Sequence, residues 1–279
     1  MHHDRVGPRV AVIGDVGGHL AALRFELVRL GADPHTGVLP PGLTIVQVGD
    51  LVHRGPDSDG VVALVDRYLR EQPDQWVQIV GNHEAFYLRD PVFTWPERVG
   101  GAAAATLQRW WEDGSMRVGA ALTTPAGDYL ITHAGLTAGF WRAVLGTPIT
   151  AARAAAALNG MISSHDSAIF RTGAMLGRRA SGSAGPLWAE ASSELVPSWF
   201  QTRLPFGQIH GHSSITNWST GALRGSTAVT GRTMSNLIAR HETTSLLGGQ
   251  IIGIDPCHGV DQVPVWSAWE ARLVGPVRT

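Results

Sequence analysis

Three times in the first third of the chain a short apolar run ends on glycine and a polar residue. Val10-Ala11-Val12-Ile13 runs into Gly14-Asp15, Leu43 to Val48 into Gly49-Asp50, and Trp76 to Val80 into Gly81-Asn82-His83-Glu84. Between them Leu20, Leu23, Leu27 and Leu30, then Val61, Val62, Leu64, Val65, Tyr68 and Leu69, recur at helical spacing. Gly31 follows the first of these helices as a stop signal. Strand, turn and helix in repetition require crossover connections and hence parallel pairing, which excludes all-helical and all-β folds. In such sheets the polar residues gather at the C-terminal ends of the strands, where sites form.

The middle of the chain reads differently. Gly101 to Trp111 and Thr150 to Leu158 are Ala-rich helix candidates, and Ala120 to Thr124 with Asp128 to Thr132 flank a turn at Pro125-Ala126-Gly127. The second strand of that hairpin ends at His133-Ala134-Gly135. From Ser163 to Trp199 the periodicity fades into Gly, Ser, Ala and Arg, the composition of a loop-rich stretch beside a site. Strand signals return at Phe206 to His210, Gln250 to Ile254 and Val263 to Trp269. We expect one domain over residues 1–279, with a helical and loop-rich insertion at about 137–205 that caps the site.

Composition narrows the chemistry. All 22 basic residues are arginine, so no lysine is present to grip phosphate in a Walker loop or to form a Schiff base. One cysteine, Cys257, excludes an intramolecular disulfide and a thiolate metal cluster. Against 23 acidic residues the net charge is −1, which gives no footprint for nucleic acid or an anionic membrane. No apolar stretch approaches the roughly 20 residues needed to span a bilayer, and a cytoplasmic location is expected. Oligomeric state has no signal in the sequence.

Five polar clusters therefore carry what chemistry there is: Asp15, Asp50, Asn82-His83-Glu84, His133 and Gly211-His212, each just after a strand. Two carboxylates, an amide oxygen and two imidazoles make a mixed O/N donor set for Mn, Fe or Zn, and asparagine favours the harder ions. In this order the motifs Gly14-Asp15-Val16-Gly17-Gly18, Gly49 to Gly55, Gly81 to Glu84, His133-Ala134-Gly135 and Gly211-His212 resemble the calcineurin-like metallophosphoesterases. Within them the chain is similar to the branch of phosphoprotein phosphatases and symmetrical diadenosine tetraphosphate hydrolases, over about residues 9 to 255.

The resemblance implies a four-layer αββα sandwich of two mixed sheets flanked by helices. It implies hydrolysis of phosphomonoesters by a metal-bound hydroxide, as in a phosphoprotein Ser/Thr phosphatase, with a dinucleoside polyphosphate hydrolase as the alternative. A degenerate relative that binds a metal or phosphate and acts as an interaction protein is the reading of another class. The resemblance implies two divalent ions, Mn or Fe/Mn with Zn as an option: Asp15 on the first, Asp50 bridging, and Asn82, His133 and His212 on the second. His83 would protonate the leaving oxygen and Arg54 would hold the phosphate.

The pattern breaks at three places. Gly17, two residues after Asp15 on an extended strand that would point its side chain the same way, stands where the family has a histidine on the first ion, which leaves four readings open: a weaker ion, a water in its place, His19 reaching in from the helix start, or one ion only. His53 replaces an aspartate that pairs with the catalytic histidine, and should let His83 titrate lower. Gly185-Pro186-Leu187-Trp188 resembles a phosphatase segment followed by a phosphate-binding arginine, but Glu190 stands near that place, leaving Arg171, Arg178 and Arg179 as candidates. His210 reads as a neighbour of the site; His35, His241 and His258 read as surface or buried polar residues; and Ile254-Asp255-Pro256 reads as structural.

Overall fold

The first apolar run is buried on both faces, which only a strand covered on two sides can be. In the computed structural model, which describes residues 7–162, 168–177, 179–259 and 264–279, this run is β1 (Arg9–Ile13). It pairs in parallel with β2 (Leu43–Gln47), β2 with β3 (Trp76–Ile79), and β3 with the short β4 (Met116–Arg117). The crossovers are α1 (Leu20–Arg29) and α2 (Ser58–Glu71). Helix α2 starts where the Asp57 carboxylate accepts the Gly60 N–H at 2.8 Å, an N-cap of ordinary type. After β3 come α3 (Asn82–Leu88) and α4 (Gly101–Glu112), so the third polar cluster opens a helix as it leaves its strand.

A second sheet begins with the predicted hairpin, β5 (Gly119–Thr124) and β6 (Gly127–Thr132). Helices α5 (Ala138–Ala143) and α6 (Ala151–Asn159) follow, then β7 (Gly207–His210), which lies parallel to β6. β8 (Thr233–Asn236), β9 (His241–Leu246) and β10 (Gly249–Gly253) complete it in the order β5-β6-β7-β10-β9-β8. The chain then returns to the first sheet as β11 (Trp269–Arg272), antiparallel to β1.

Strand alternation decides the layers. Val10, Val12, Val46 and Ile79 from one sheet meet Leu122, Ile131, Ile209 and Ile252 from the other. On the opposite face of the first sheet Ala11, Ile13 and Ile45 join Leu23 and Leu27 of α1 and Val61 and Val65 of α2 in one buried cluster. The outer face of the second sheet places Ala121 and Leu130 in that cluster with Ala154, Ala155 and Leu158 of α6. The result is helix, sheet, sheet, helix, with both sheets mixed, as expected. Each buried Val, Leu or Ile contributes roughly 1.5–3 kcal/mol to this arrangement.

Three sequence expectations change. The last strand is Trp269–Arg272, not Val263 to Trp269: residues 260–263 lie outside the described residues, and 264–268 form no strand. β8 and β9 were not anticipated, because polar, half-exposed strands lack the apolar run that betrays a buried one. The third concerns Gly17, expected on an extended strand; its φ of +53° puts it in a left-handed turn. Within the expected insertion, the described residues form short helical turns held by Glu194, which is buried and accepts the N–H groups of Ala174, Ser181 and Glu190 at 2.7–3.0 Å.

Candidate metal centre

The polar clusters that follow β2, β3, β6 and β7 meet at one point. His133 Nε2 lies 2.9 Å from Asn82 Oδ1, 3.1 Å from His212 Nδ1 and 3.4 Å from Asp50 Oδ1, and His212 Nδ1 lies 2.8 Å from Asn82 Oδ1. All four side chains are buried. The opposite ring nitrogen of His133 faces the Val48 carbonyl oxygen at 2.9 Å. A carbonyl only accepts, so Nδ1 carries the proton and the neutral ring turns the Nε2 lone pair inward. The carboxylate and amide oxygens are acceptors too, and His212 Nε2 is buried with no partner. Carboxylate and amide oxygens and imidazole nitrogens so crowded form the donor set of a divalent cation. Asp50, His133 and His212 offer ligand atoms within 4.8 Å of one another. Burial alone would raise the Asp50 carboxyl, but the imidazoles of His133, His83 and His212 hold it well below the usual carboxylate range.

The loops reach this point because glycine precedes the key residues. A Cβ on Gly81 would overlap Asp50 Oδ1, and one on Gly211 would overlap Asp15 Oδ1. Glu84, fully buried on α3, accepts the N–H groups of Gly81, Asp50 and Leu51 at 2.7–2.8 Å and so locks the β2 and β3 loops together. Burial and the Asp50 charge push its carboxyl up to about 8. Glu242 on β9 does the same after His212, accepting from Ile215 and Thr216. Strain is concentrated here: Asp50, His53, Arg54, His212 and Cys257 all have φ between +52° and +75°.

A cavity of about 250 Å³ opens over the cluster. Asp15, Asp50, His212 and Arg54 line it, as expected, with Gly17 beside them. Asp15 accepts the His212 N–H at 3.1 Å, and burial, then Asp255 and Asp50, push its carboxyl well up. Arg54 stands over the Trp95 ring at 5.5 Å. Sequence reasoning missed Arg224, Asp255 and His258, which line the same cavity from distant loops. None follows a readable motif; only the Gly14 contact with Ile254 and Pro256 brings the β10 end across. Two candidates lie elsewhere. His19 is buried but turns away, its Nε2 3.0 Å from the Gly259 carbonyl oxygen. Arg171 is exposed and donates to Ser183 O at 3.4 Å, outside the cavity lining. Arg179 is exposed and outside the lining too, and Arg178 lies outside the described residues. Glu190 lines the cavity while its carboxylate accepts from Ser192 and Ser193.

His83 is held by an unusual chain. Its Nδ1 lies 2.6 Å from His53 Nδ1, and His53 Nε2 lies 2.6 Å from the Tyr87 hydroxyl, which accepts the Val99 N–H at 3.0 Å. When the Tyr87 proton goes to His53 Nε2, His53 Nδ1 donates to His83 and leaves the His83 proton on Nε2, 3.9 Å from Asp50 Oδ2. Burial and the neighbouring His83 depress His53 to about 3. Burial also depresses His83, against the pull of Asp50.

Residues 8–152, more than half of the chain, match the family model described as calcineurin-like phosphoesterase. The chain belongs to this family. A zinc-dependent endopolyphosphatase of Saccharomyces cerevisiae is 34% identical to it over 90 residues, 31% of this chain and 25% of that protein. Serine/threonine-protein phosphatase 1 of Salmonella typhimurium is 41% identical over 80 residues, 28% of this chain and 31% of that protein. The matches thus span a quarter to a third of the length of these curated relatives. A solved cold-active protein tyrosine phosphatase shares the fold, with a TM-score of 0.51 at 16% identity, covering 90% of this chain and 70% of that one. Among the described residues of this phosphoesterase-family chain, no helix is long and apolar enough to cross a membrane.

The buried imidazoles predict acid lability. His53, His83, His210, His212, His241 and His258 are all depressed, His53 and His258 to about 3 and His210 to about 4. A depressed imidazole gives its stability above the unfolded value near 6.5 and loses it as pH falls toward the folded one. The raised carboxyls of Asp15, Glu84 and Glu242 pull the other way but are fewer. The urea midpoint of metal-free protein should therefore fall steadily between about pH 7 and about pH 4; a flat or rising midpoint contradicts this.

Proposed function

We propose that this chain is a metal-dependent phosphoester hydrolase of the phosphoprotein phosphatase type, acting as one domain over residues 1–279. The convergence of Asn82, His133, His212 and Asp50 within ligand distance of one another, beneath a cavity lined by two arginines, is the observation that carries this reading. Asp50, Asn82, His133 and His212 would hold one divalent ion, and Asp15 with Asp50 a second, Mn or Fe/Mn fitting an oxygen-rich donor set and Zn remaining chemically suitable. When bound, such ions neutralise phosphoryl oxygens and lower the pKa of water.

The chain's own side chains do the rest. Arg54 and Arg224 present guanidinium groups to the phosphoryl oxygens, an arrangement that substitutes for the missing lysine. Arg224 is steadied by donation from its Nη2 to Ser214 O at 2.8 Å, which leaves further donors for the substrate. In its imidazolium form His83 would share its Nδ1 proton with His53 and give its Nε2 proton, turned toward Asp50, to the leaving oxygen, returning to the neutral ring. Met175 and Glu190 bring the 137–205 stretch to the rim, where it would shape substrate choice. The matched stretch of the Salmonella typhimurium phosphatase supports a phosphoprotein substrate, and cytoplasmic operation suits a chain whose single cysteine is free.

Hydrolysis of p-nitrophenyl phosphate by the purified protein with Mn, Fe or Zn is the direct test, and its absence with every metal across pH sinks the proposal. Phosphopeptides, diadenosine tetraphosphate and polyphosphate then separate the substrate classes; preference for either anhydride overturns the phosphoprotein assignment. Arg224→Ala should lower kcat/KM about 10- to 100-fold, the usual weight of a charge-assisted pair at 1.5–3 kcal/mol. An Arg224→Ala enzyme with unchanged kcat/KM removes that residue from the site.

A further inference from the structure

The side of the cavity nearest Asp15 is short of a ligand, because Gly17 lines it without a side chain. The loop after β10 lines the same cavity. Its backbone presses on Gly14 through Ile254 and Pro256, which sets Asp255 and His258 on the same cavity as Asp15 and Asp50. Asp255 is buried and forms no ion pair among the described residues; its carboxylate accepts only from Cys257, from the N–H at 2.7 Å and the thiol at 3.3 Å.

His258 supplies the independent observation. Its imidazole is 3% exposed, and neither ring nitrogen has a hydrogen-bond partner among the described residues. A buried imidazole with both nitrogens idle costs stability unless something else binds it. The ring is held in place by His19, whose ring lies 4.8 Å away and whose Nε2 meets the Gly259 carbonyl, and by Trp266 at 5.9 Å. His19 thus fixes the loop that carries His258 without lining the cavity itself.

We infer that the ion nearest Asp15 is held from the C-terminal side by Asp255 and His258, in place of the imidazole that Gly17 omits. The inference rests on the two-ion reading above. Carboxylates from Asp15, Asp50 and Asp255 with one imidazole form an oxygen-rich set suited to Mn(II). The same pairing gives two buried carboxylates a counter-charge and the idle imidazole a partner.

Calorimetric titration of metal-free protein with Mn(II), with metal content after dialysis, tests it without any assay of activity. The wild type should take up two ions. Asp255→Asn and His258→Gln should each weaken one ion at least tenfold and keep the other, whose retention also shows that the variant is folded. His133→Ala should weaken the ion that those variants keep. Two ions of wild-type affinity in both variants overturn the inference, as does a single wild-type ion that His133→Ala weakens and Asp255→Asn does not. A wild type that binds no Mn(II) overturns the metal-centre reading itself, a separately recognisable result.

Discussion

Asp50→Asn should reduce hydrolysis of p-nitrophenyl phosphate by about 10³-fold, because the position between the two proposed ions loses its charge. Metal-borne charge stabilisation contributes several kcal/mol to such reactions, and each 1.4 kcal/mol is tenfold in rate. The fold should survive. Asparagine keeps the shape of aspartate and an oxygen to accept the His83 N–H, which Asp50 Oδ1 now accepts at 3.0 Å. What it lacks is the charge that three imidazoles hold in the ionised state. Kinetics alongside metal content and thermal unfolding check the prediction. Activity that persists in Asp50→Asn places the reaction somewhere other than this cavity.

His83→Ala should lower kcat by about 10²- to 10⁴-fold for an alkyl phosphate, the range for a lost general acid. The loss should be smaller for p-nitrophenyl phosphate, whose leaving group scarcely needs a proton. Equal losses on the two substrates would make His83 a structural residue. The pH profile gives a second handle. An acid must be protonated to act, so the basic limb of the profile marks its pKa, and burial sets that pKa low in His83. His53→Asp puts a carboxylate in place of the imidazole 2.6 Å away, favours the protonated form of His83, and should move the basic limb to higher pH. An unmoved limb rejects His83 as the acid. Because His53 also receives the Tyr87 hydroxyl, Tyr87→Phe should shift the same limb without touching the cavity.

How far the site was legible depends on distance along the chain from a strand. Asp15, Asp50, Asn82, His133 and His212 sit within three residues of a strand end or a helix start, where backbone hydrogen bonding fixes direction, and the structure brings four of them to one point. His19 failed to reach the cavity for the same reason: it caps α1, and the helix start aims it at Gly259. Arg224 rides on a loop pinned to Ser214, ten residues back, and His258 on one pinned by His19, far away in sequence. Their direction is a property of those contacts, and no local pattern encodes it.

The sequence by itself determined the repeated strand-turn-helix order with parallel pairing, because apolar residues alternate at periods of two and near four, while the αββα layering was implied by the family resemblance of its motifs. It also determined which strand ends carry metal-type donors. Only the tertiary structure decided that Gly17 turns left-handed, that His53 and Tyr87 relay to His83, and that Asp255 and His258 line the same cavity as Asp15. The last follows from packing between segments more than two hundred residues apart, as in the overlap a Cβ on Gly14 would make with Ile254, where close contact, not local propensity, sets the geometry.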